Sequence, residues 1–218
     1  MKNSIACLLG ILLFVSCGTK DKKRVLPIVG NYDIAYDTIN GKEVQDTIYP
    51  KIPYFSFLNE DSLRVTSKNL KGKIWIANFF FTSCPTICPT MTSQMKRLNK
   101  MTNDINQYLQ YISFSIDPKT DQPYRLQQYI HKFGIHTNNW TFLTGNEAKT
   151  HALGVDYFQV FANKDIESAG GYAHSPAFVL VDREGYVRGV YIGTETSEVN
   201  KMEKDIRKLL TYEYNISC

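Results

Sequence analysis

Cysteine is scarce in this chain, with five among 218 residues, and they hold only one close pair, which is not a disulfide framework. Cys7 lies in an N-terminal apolar stretch, Cys17 directly after it, and Cys218 is the last residue. Only Cys84 and Cys88 stand close together, so the fold is not a small secreted scaffold stapled by bridges. Charge of one sign is lacking too: the net charge is +4, mild and dispersed, which argues against a nucleic-acid partner. There is no internal repeat and no low-complexity tract, which excludes a solenoid or an array. No apolar run is long enough to span a bilayer comfortably, since the longest N-terminal one covers only Ile5 to Val15. What remains is ordinary globular composition, 43% hydrophobic and 21% charged, with length for one good core plus an appendage.

The N-terminus reads as a targeting segment over residues 1–16. Met1-Lys2-Asn3 is a short basic start, Ile5 to Val15 an apolar stretch, and Ser16-Cys17-Gly18 follows before polarity rises through Arg24. This pattern resembles a bacterial lipobox, which implies that Cys17 becomes the lipidated first residue of the mature chain. An ordinary cleaved signal peptide and an uncleaved anchor are the other readings. All three place the domain outside the cytoplasm, in the cell envelope of a bacterium on the lipobox reading. Residues 17–50 then form a tether and a short β extension, with a hairpin expected at Asn40-Gly41, and residues 51–214 form the main domain.

Hydrophobic patterning gives the order of elements. Tyr54 to Leu58 and Leu63 to Thr66 read as strands. Ile74 to Phe81 is a near-continuous apolar run, the pattern of a strand buried on both faces. Pro89 to Met101 is an amphipathic helix carrying Met91, Met95, Leu98 and Met101 on one side. A strand over Leu109 to Ile116 and a helix over Asp121 to Phe133 follow, with Asp121 as the expected N-cap. Trp140 to Leu143, a short helix at Glu147 to Leu153, a hairpin of Ala177 to Val181 with Tyr186 to Ile192, and a closing helix from Ser197 complete the chain. Helical crossovers imply parallel central strands and the late hairpin antiparallel ones, so the expectation is an α/β, thioredoxin-like mixed sheet flanked by helices, with an N-terminal β extension.

The chemistry concentrates in Phe81-Thr82-Ser83-Cys84-Pro85-Thr86-Ile87-Cys88-Pro89. Proline is favoured at the first helical position, so the helix is expected to begin at Pro89 with Cys88 as its N-cap. The helix start would then lower the Cys88 pKa. Three residues separate the thiols, one more than in Cys-x-x-Cys exchangers. That spacing still permits a disulfide, and it leaves room for an ion between two sulfurs. Two thiolates suit Cu(I), and a nitrogen ligand would let the site accept Cu(II) as well. His131, His136 and His151 read as ordinary surface or core-edge histidines. His174 differs because it lies in a glycine-led loop, Gly170-Gly171-Tyr172-Ala173-His174-Ser175-Pro176, that feeds a strand entry facing the cysteine loop.

Three motifs in order carry a resemblance. Cys84-Pro85-x-x-Cys88-Pro89 follows an apolar strand, Ser115-Ile116-Asp117-Pro118-Lys119-Thr120-Asp121 ends the next one, and His174-Ser175 precedes a strand ending in Asp182-x-x-Gly185. Together, over roughly residues 50–212, they resemble the Sco/SenC family. The resemblance implies a thioredoxin-like copper protein, membrane-tethered outside the cytoplasm, that helps metallate the dinuclear copper centre of cytochrome c oxidase. It implies copper as the bound metal, Cys84, Cys88 and His174 as its ligands, and the oxidase copper subunit or another copper acceptor as partner. Asp117 falls where the family also has an acid; its readings are a docking or supporting role at the site and simple turn formation before Pro118. Pro176 departs from the family pattern and has the offset of the cis-proline that thioredoxins place opposite their cysteines. It sustains the alternative of an extracytoplasmic thiol–disulfide oxidoreductase, an enzyme whose redox-active pair Cys84 and Cys88 keeps target cysteines reduced. Peroxide reduction and a copper-loaded redox sensor are further readings.

The lipobox pattern predicts that mature protein from the membrane fraction begins at an acylated Cys17. Intact-mass measurement checks it; a mature N-terminus elsewhere, or no acyl mass, rules it out.

Overall fold

The computed structural model describes residues 24–136, 138–165, 167 and 171–218. The expected signal segment and Cys17 lie outside the described residues. Two short strands, β1 (Asp33–Ile39) and β2 (Lys42–Ile48), pair antiparallel as the expected hairpin, and Asn40 and Gly41 both take positive φ (54° and 76°) at its turn. Asparagine and glycine tolerate that conformation better than other residues do.

The main sheet has the order β11-β10-β5-β6-β7-β3-β4. Its centre is β5 (Ile74–Phe80), buried at every position. It runs parallel to β6 (Leu109–Ser115), which is parallel to β7 (Trp140–Thr144). On its other side β5 pairs antiparallel with β10 (Ala177–Val181), and β10 with β11 (Val187–Ile192). β3 (Ser56–Asn59) and β4 (Arg64–Thr66) close the far edge antiparallel. The sheet is therefore mixed, as its pattern of crossovers and hairpins predicts.

Both faces are covered, which is why β5 has no polar alternation. On one face Phe80 meets Tyr129 of α2 (Pro123–Phe133) at a ring separation of 5.2 Å and Phe142 at 5.4 Å. The same layer holds α1 (Ile87–Met101), whose Thr92 hydroxyl lies 2.6 Å from the Tyr129 hydroxyl. It also holds α4 (Thr196–Lys208), tied to α1 through Arg97 and Asn200. Met91, Met95 and Leu98 are fully buried there, as their spacing predicts. On the other face Phe79 stacks on Phe114 and meets Phe158, beyond the short α3 (Glu147–Ala152). A second small hairpin, β8 (Ala162–Lys164) with β9 (Tyr172–His174), was not legible in the sequence pattern; its strands are three residues each, too short to show a period.

Two helix starts differ from expectation. α1 begins at Ile87 with Thr86 in the capping position, so Cys88 and Pro89 lie inside its first turn. The first four N–H groups of a helix have no internal acceptor, so a proline there forfeits no hydrogen bond. α2 begins at Pro123 after Gln122, leaving Asp121 outside the helix as a buried side chain rather than a cap.

At the opposite end of β5 from the cysteines, Arg188 organises a buried ionic cluster. Its guanidinium donates to Asp182 (3.0 Å), to both oxygens of Glu213 (2.8 and 2.6 Å), and to the carbonyls of Leu26 and Pro27. Burial alone would raise the Glu213 carboxyl, but the Arg188 hydrogen bonds outweigh it and hold the group below the usual range. Glu213 also accepts from the Val25 N–H at 2.7 Å, and the Val29 N–H donates to Val187 O. The stretch expected to act as a tether is thus held to the domain from Val25 onward.

Because removing one partner of a buried ionic cluster leaves the others uncompensated, Arg188→Leu is expected to cost roughly 3–5 kcal/mol. The chemical-denaturation midpoint reads this directly. Loss below about 1 kcal/mol, the range of exposed ion pairs, would mean the cluster contributes little.

Candidate metal centre

β5 ends at Phe80 and delivers Phe81-Thr82-Ser83-Cys84 to the rim of the sheet. The loop is fixed from below by Asp121. Its carboxylate accepts from the Thr82 N–H (3.1 Å), the Thr82 hydroxyl (2.5 Å) and the Ser115 hydroxyl (2.6 Å) at the end of β6. Burial raises the Asp121 pKa, opposed by these hydrogen bonds from Ser115 and Thr82. This role was missed because Asp121 was read as a cap. Pro123 carries the corrective signal: proline favours the first helical position, which sets the cap at Gln122 and leaves Asp121 free to turn inward.

Cys84 and Cys88 are both buried, Cys88 more completely (1% exposed against 8%), and both are free thiols. His174 ends β9 and comes in from above. Its Nε2 lies 3.3 Å from Cys88 Sγ, and its ring packs edge-on against Phe81. Its other nitrogen, Nδ1, lies 3.2 Å from the Ser175 carbonyl oxygen. A carbonyl only accepts, so Nδ1 carries the proton and the Nε2 lone pair faces the sulfurs. The ligand atoms of Cys84, Cys88 and His174 all lie within 4.8 Å of one another. Nitrogen and sulfur ligands sit about 2.0–2.3 Å from an ion such as zinc, hence up to about 4.6 Å apart. The donor set and its spread therefore fit a first-row ion with a shift of only a few tenths of an ångström.

His131 and His136 are exposed, and His151 points its Nε2 to the Ile116 carbonyl at 3.0 Å. Among the described residues no other group of three ligand side chains has this closeness. Asp117 is buried but is not part of the cluster. It accepts from the Tyr172 hydroxyl at 3.3 Å, and the same hydroxyl lies 3.3 Å from Glu147. Asp117 thus supports β9, two residues before His174. Tyr172 was also missed, although the two-residue period of a strand puts it on the same face as His174. The Ser175–Pro176 bond is trans, since no cis peptide occurs among the described residues, so Pro176 does not reproduce the thioredoxin cis-proline. Cys218 is exposed, with its sulfur 3.5 Å from the Thr211 hydroxyl.

The two thiols are unlike. A hydrogen bond from Cys88 outweighs burial and leaves the Cys84 pKa well below that of a free thiol. The Cys88 thiol is pushed up, because it is the donor to Cys84 and is the more deeply buried. This reverses the order expected from a helix start at Pro89. Cys88 lies in the first turn of the helix, but its donation to Cys84 and its burial against the core outweigh the helix start.

Alkylation should therefore occur first at Cys84, with a rate that stays on its plateau below the free-thiol pKa of about 8.5. Cys88→Ser removes the thiol donor and should shift the Cys84 profile toward higher pH. Rate against pH on each single Cys→Ser variant reads both effects. Equal, unshifted profiles would overturn the asymmetry.

Comparison with known proteins agrees with this geometry. The SCO1/SenC family profile matches residues 45–211. The crystal structure of a SCO1/SenC family lipoprotein from Bacillus anthracis is similar at TM-score 0.67 and 36% identity, covering 73% of this chain and 94% of that one. BsSco, a member of the Sco family of cytochrome c oxidase assembly proteins in which a disulfide switch was identified, is similar at TM-score 0.65 and 33% identity, covering 72% and 91%. The copper-bound ScoI of Arabidopsis thaliana is similar at TM-score 0.61 and 26% identity, covering 73% and 99%. The matched span holds the cysteine loop, the Asp117 turn and the His174 strand, and the chain belongs to the SCO1/SenC family.

Proposed function

We propose that this chain binds copper through Cys84, Cys88 and His174 and delivers it to the copper subunit of cytochrome c oxidase, or to another copper acceptor, on the outer side of a bacterial membrane. The observation that carries the reading is the orientation of His174. Its Nδ1–H is committed to the Ser175 carbonyl and its Nε2 faces Cys88 Sγ at 3.3 Å, so a nitrogen lone pair is aimed at two sulfurs. Two thiolates hold the soft Cu(I) ion, and the added imidazole makes the same set acceptable to Cu(II). Copper here is cargo. Lipidation of Cys17 holds the domain at the membrane; among the described residues no helix is long and apolar enough to cross it. The similarity to the lipoprotein from Bacillus anthracis and to BsSco, a member of a family of cytochrome c oxidase assembly proteins, supports that placement.

The lowered pKa of Cys84 sustains a second reading, dithiol–disulfide exchange. The Cys84 thiolate would attack one sulfur of a target disulfide and release the other as a thiolate. Cys88, losing its proton, would then displace the target from the mixed disulfide. Two electrons pass to the target and a Cys84–Cys88 disulfide is left. The sulfurs lie within 4.8 Å, close enough to meet after a local shift of the loop.

Reduced protein should bind one copper and, in the oxidised complex, show a sulfur-to-Cu(II) charge-transfer band. His174→Ala should weaken Cu(II) strongly and Cu(I) less, while Cys84→Ser or Cys88→Ser should remove both. Copper stoichiometry and absorption spectra check this. No stoichiometric copper, together with rapid reduction of a protein disulfide that His174→Ala leaves intact, would replace the first reading by the second.

A further inference from the structure

We infer that the end of the sheet opposite the metal centre is a membrane-facing surface, built to take the anionic phosphates of lipid head groups. This rests on the proposed anchoring at Cys17. A cleft of about 640 Å³ opens at the start of β5, lined by Lys51, Lys68, Lys71 and Arg183, with Leu70 and Trp75 among its apolar walls. Glu184 is the one acid lining it, and its carboxylate is engaged by the Tyr214 hydroxyl at 2.6 Å. The three lysines are exposed. The Arg183 guanidinium lies over the Tyr214 ring at 4.5 Å, and its Nε is a buried donor with no hydrogen-bond partner. A buried orphan donor beside three free ammonium groups calls for an anionic acceptor.

Two observations identify the anion as the bilayer's own. The first is the path of the chain. Val25 and Leu26 are clamped to Glu213 and Arg188, and the Ile52 N–H donates to Gly185 O, both of them cleft residues. Tyr186 lines the groove that Arg24 borders and carries the Lys51 ammonium 4.8 Å over its ring. Arg24 lies only seven positions after Cys17 in sequence. Fully extended, that stretch spans at most about 25 Å, so a lipid on Cys17 keeps this end of the domain within that reach of the bilayer. The second is charge. Lys20, Lys22, Lys23 and Arg24 follow the lipidation site in sequence with only Asp21 among them, and Arg24 borders the groove that Tyr186 lines at this end. One acyl anchor plus a basic patch is the two-signal arrangement that gives stable attachment to an anionic membrane.

The sheet fixes the consequence. Trp75 lines the cleft at the start of β5, and Phe81 leads into the cysteine loop at its end, about 20 Å further along a strand. Val181, before the Asp182–Gly185 turn, pairs with Trp75, whereas Ala177, just after His174, lies toward the other end. With the basic end on lipid, Cys84, Cys88 and His174 point away from the bilayer, toward an acceptor that stands above it.

The acylated full-length chain, reconstituted in vesicles of phosphatidylcholine alone or with added phosphatidylglycerol, tests this by amine-reactive labelling read by mass spectrometry. Labelling of Lys51, Lys68 and Lys71 should slow several-fold with phosphatidylglycerol and recover at high salt. Lys132, which borders Thr82 at the metal end, should label equally in both vesicles. Lys68→Glu combined with Lys71→Glu should abolish the lipid dependence at Lys51 and leave copper stoichiometry unchanged. Equal labelling in both vesicles overturns the proposal. So does protection by inorganic phosphate that matches protection by the anionic lipid, which would make the cleft a site for soluble phosphate. The acyl mass at Cys17, measured on the same sample, separates the two readings. Acylated protein with no lipid-dependent protection sinks the surface alone; unacylated protein that still shows it sinks the anchor alone.

Discussion

The antiparallel pairing of β10 with β5 is the constraint on which the site depends. Phe178 faces Asn78 and Val181 faces Trp75, so the entry of β10 lies beside the exit of β5. The two segments that bear ligands, residues 81–88 and 172–175, are more than eighty residues apart in sequence, and this register makes them neighbours. Both strands are buried at every position, so a slip of one residue would exchange the two packed faces at once, sending Phe79 and Phe80 to the wrong layers. The position of an imidazole relative to two sulfurs is thus enforced by aromatic packing some distance from any of them.

Above that scaffold, the site is held by hydrogen bonds that leave specific atoms free. Asp121 takes up the donors of Thr82 and Ser115, which fixes where the cysteine loop starts without touching sulfur. Tyr172 reaches Asp117 and Glu147, which steadies β9 without using the His174 ring. Ser175 claims Nδ1 of His174 and leaves Nε2. In each case a neighbouring group satisfies a polar atom that would otherwise compete for the sulfurs. Such supporting contacts are how a protein pre-orients a ligand set.

The two-faced burial of β5 was legible as an unbroken apolar run, and the Met-rich side of α1 as a helical period sustained over several turns. The cysteine pair and His174 were legible because chemistry and chain position agreed. The rest was not, for separate physical reasons. β8 and β9 have three residues each, so no alternation can declare them. Asp121 looked like a cap because a helix pattern begins beside it, and only Pro123 argued that the cap lay one residue later. The order of the thiol pKa values depended on whether Cys88 stands before the helix or within its first turn. A two-residue shift in that boundary moved Cys88 from the cap into the first turn, against the core.

That last difference bears on how the two chemistries share one pair. A low-pKa Cys84 is already a thiolate when either reaction begins, whereas Cys88 must give up a proton in both. In metal binding the proton leaves because a cation replaces it at the sulfur, and the imidazole lone pair 3.3 Å away adds a third donor. In disulfide exchange the same proton has to leave before Cys88 can displace a bound target, with no cation to compensate the charge. Burial of Cys88 therefore penalises the second route at the step where it needs a free thiolate, and leaves the first unpenalised once the ion is present. The proline after each cysteine works in the same direction. Pro85 and Pro89 fix φ just after each cysteine, which limits how the loop between the sulfurs can rearrange.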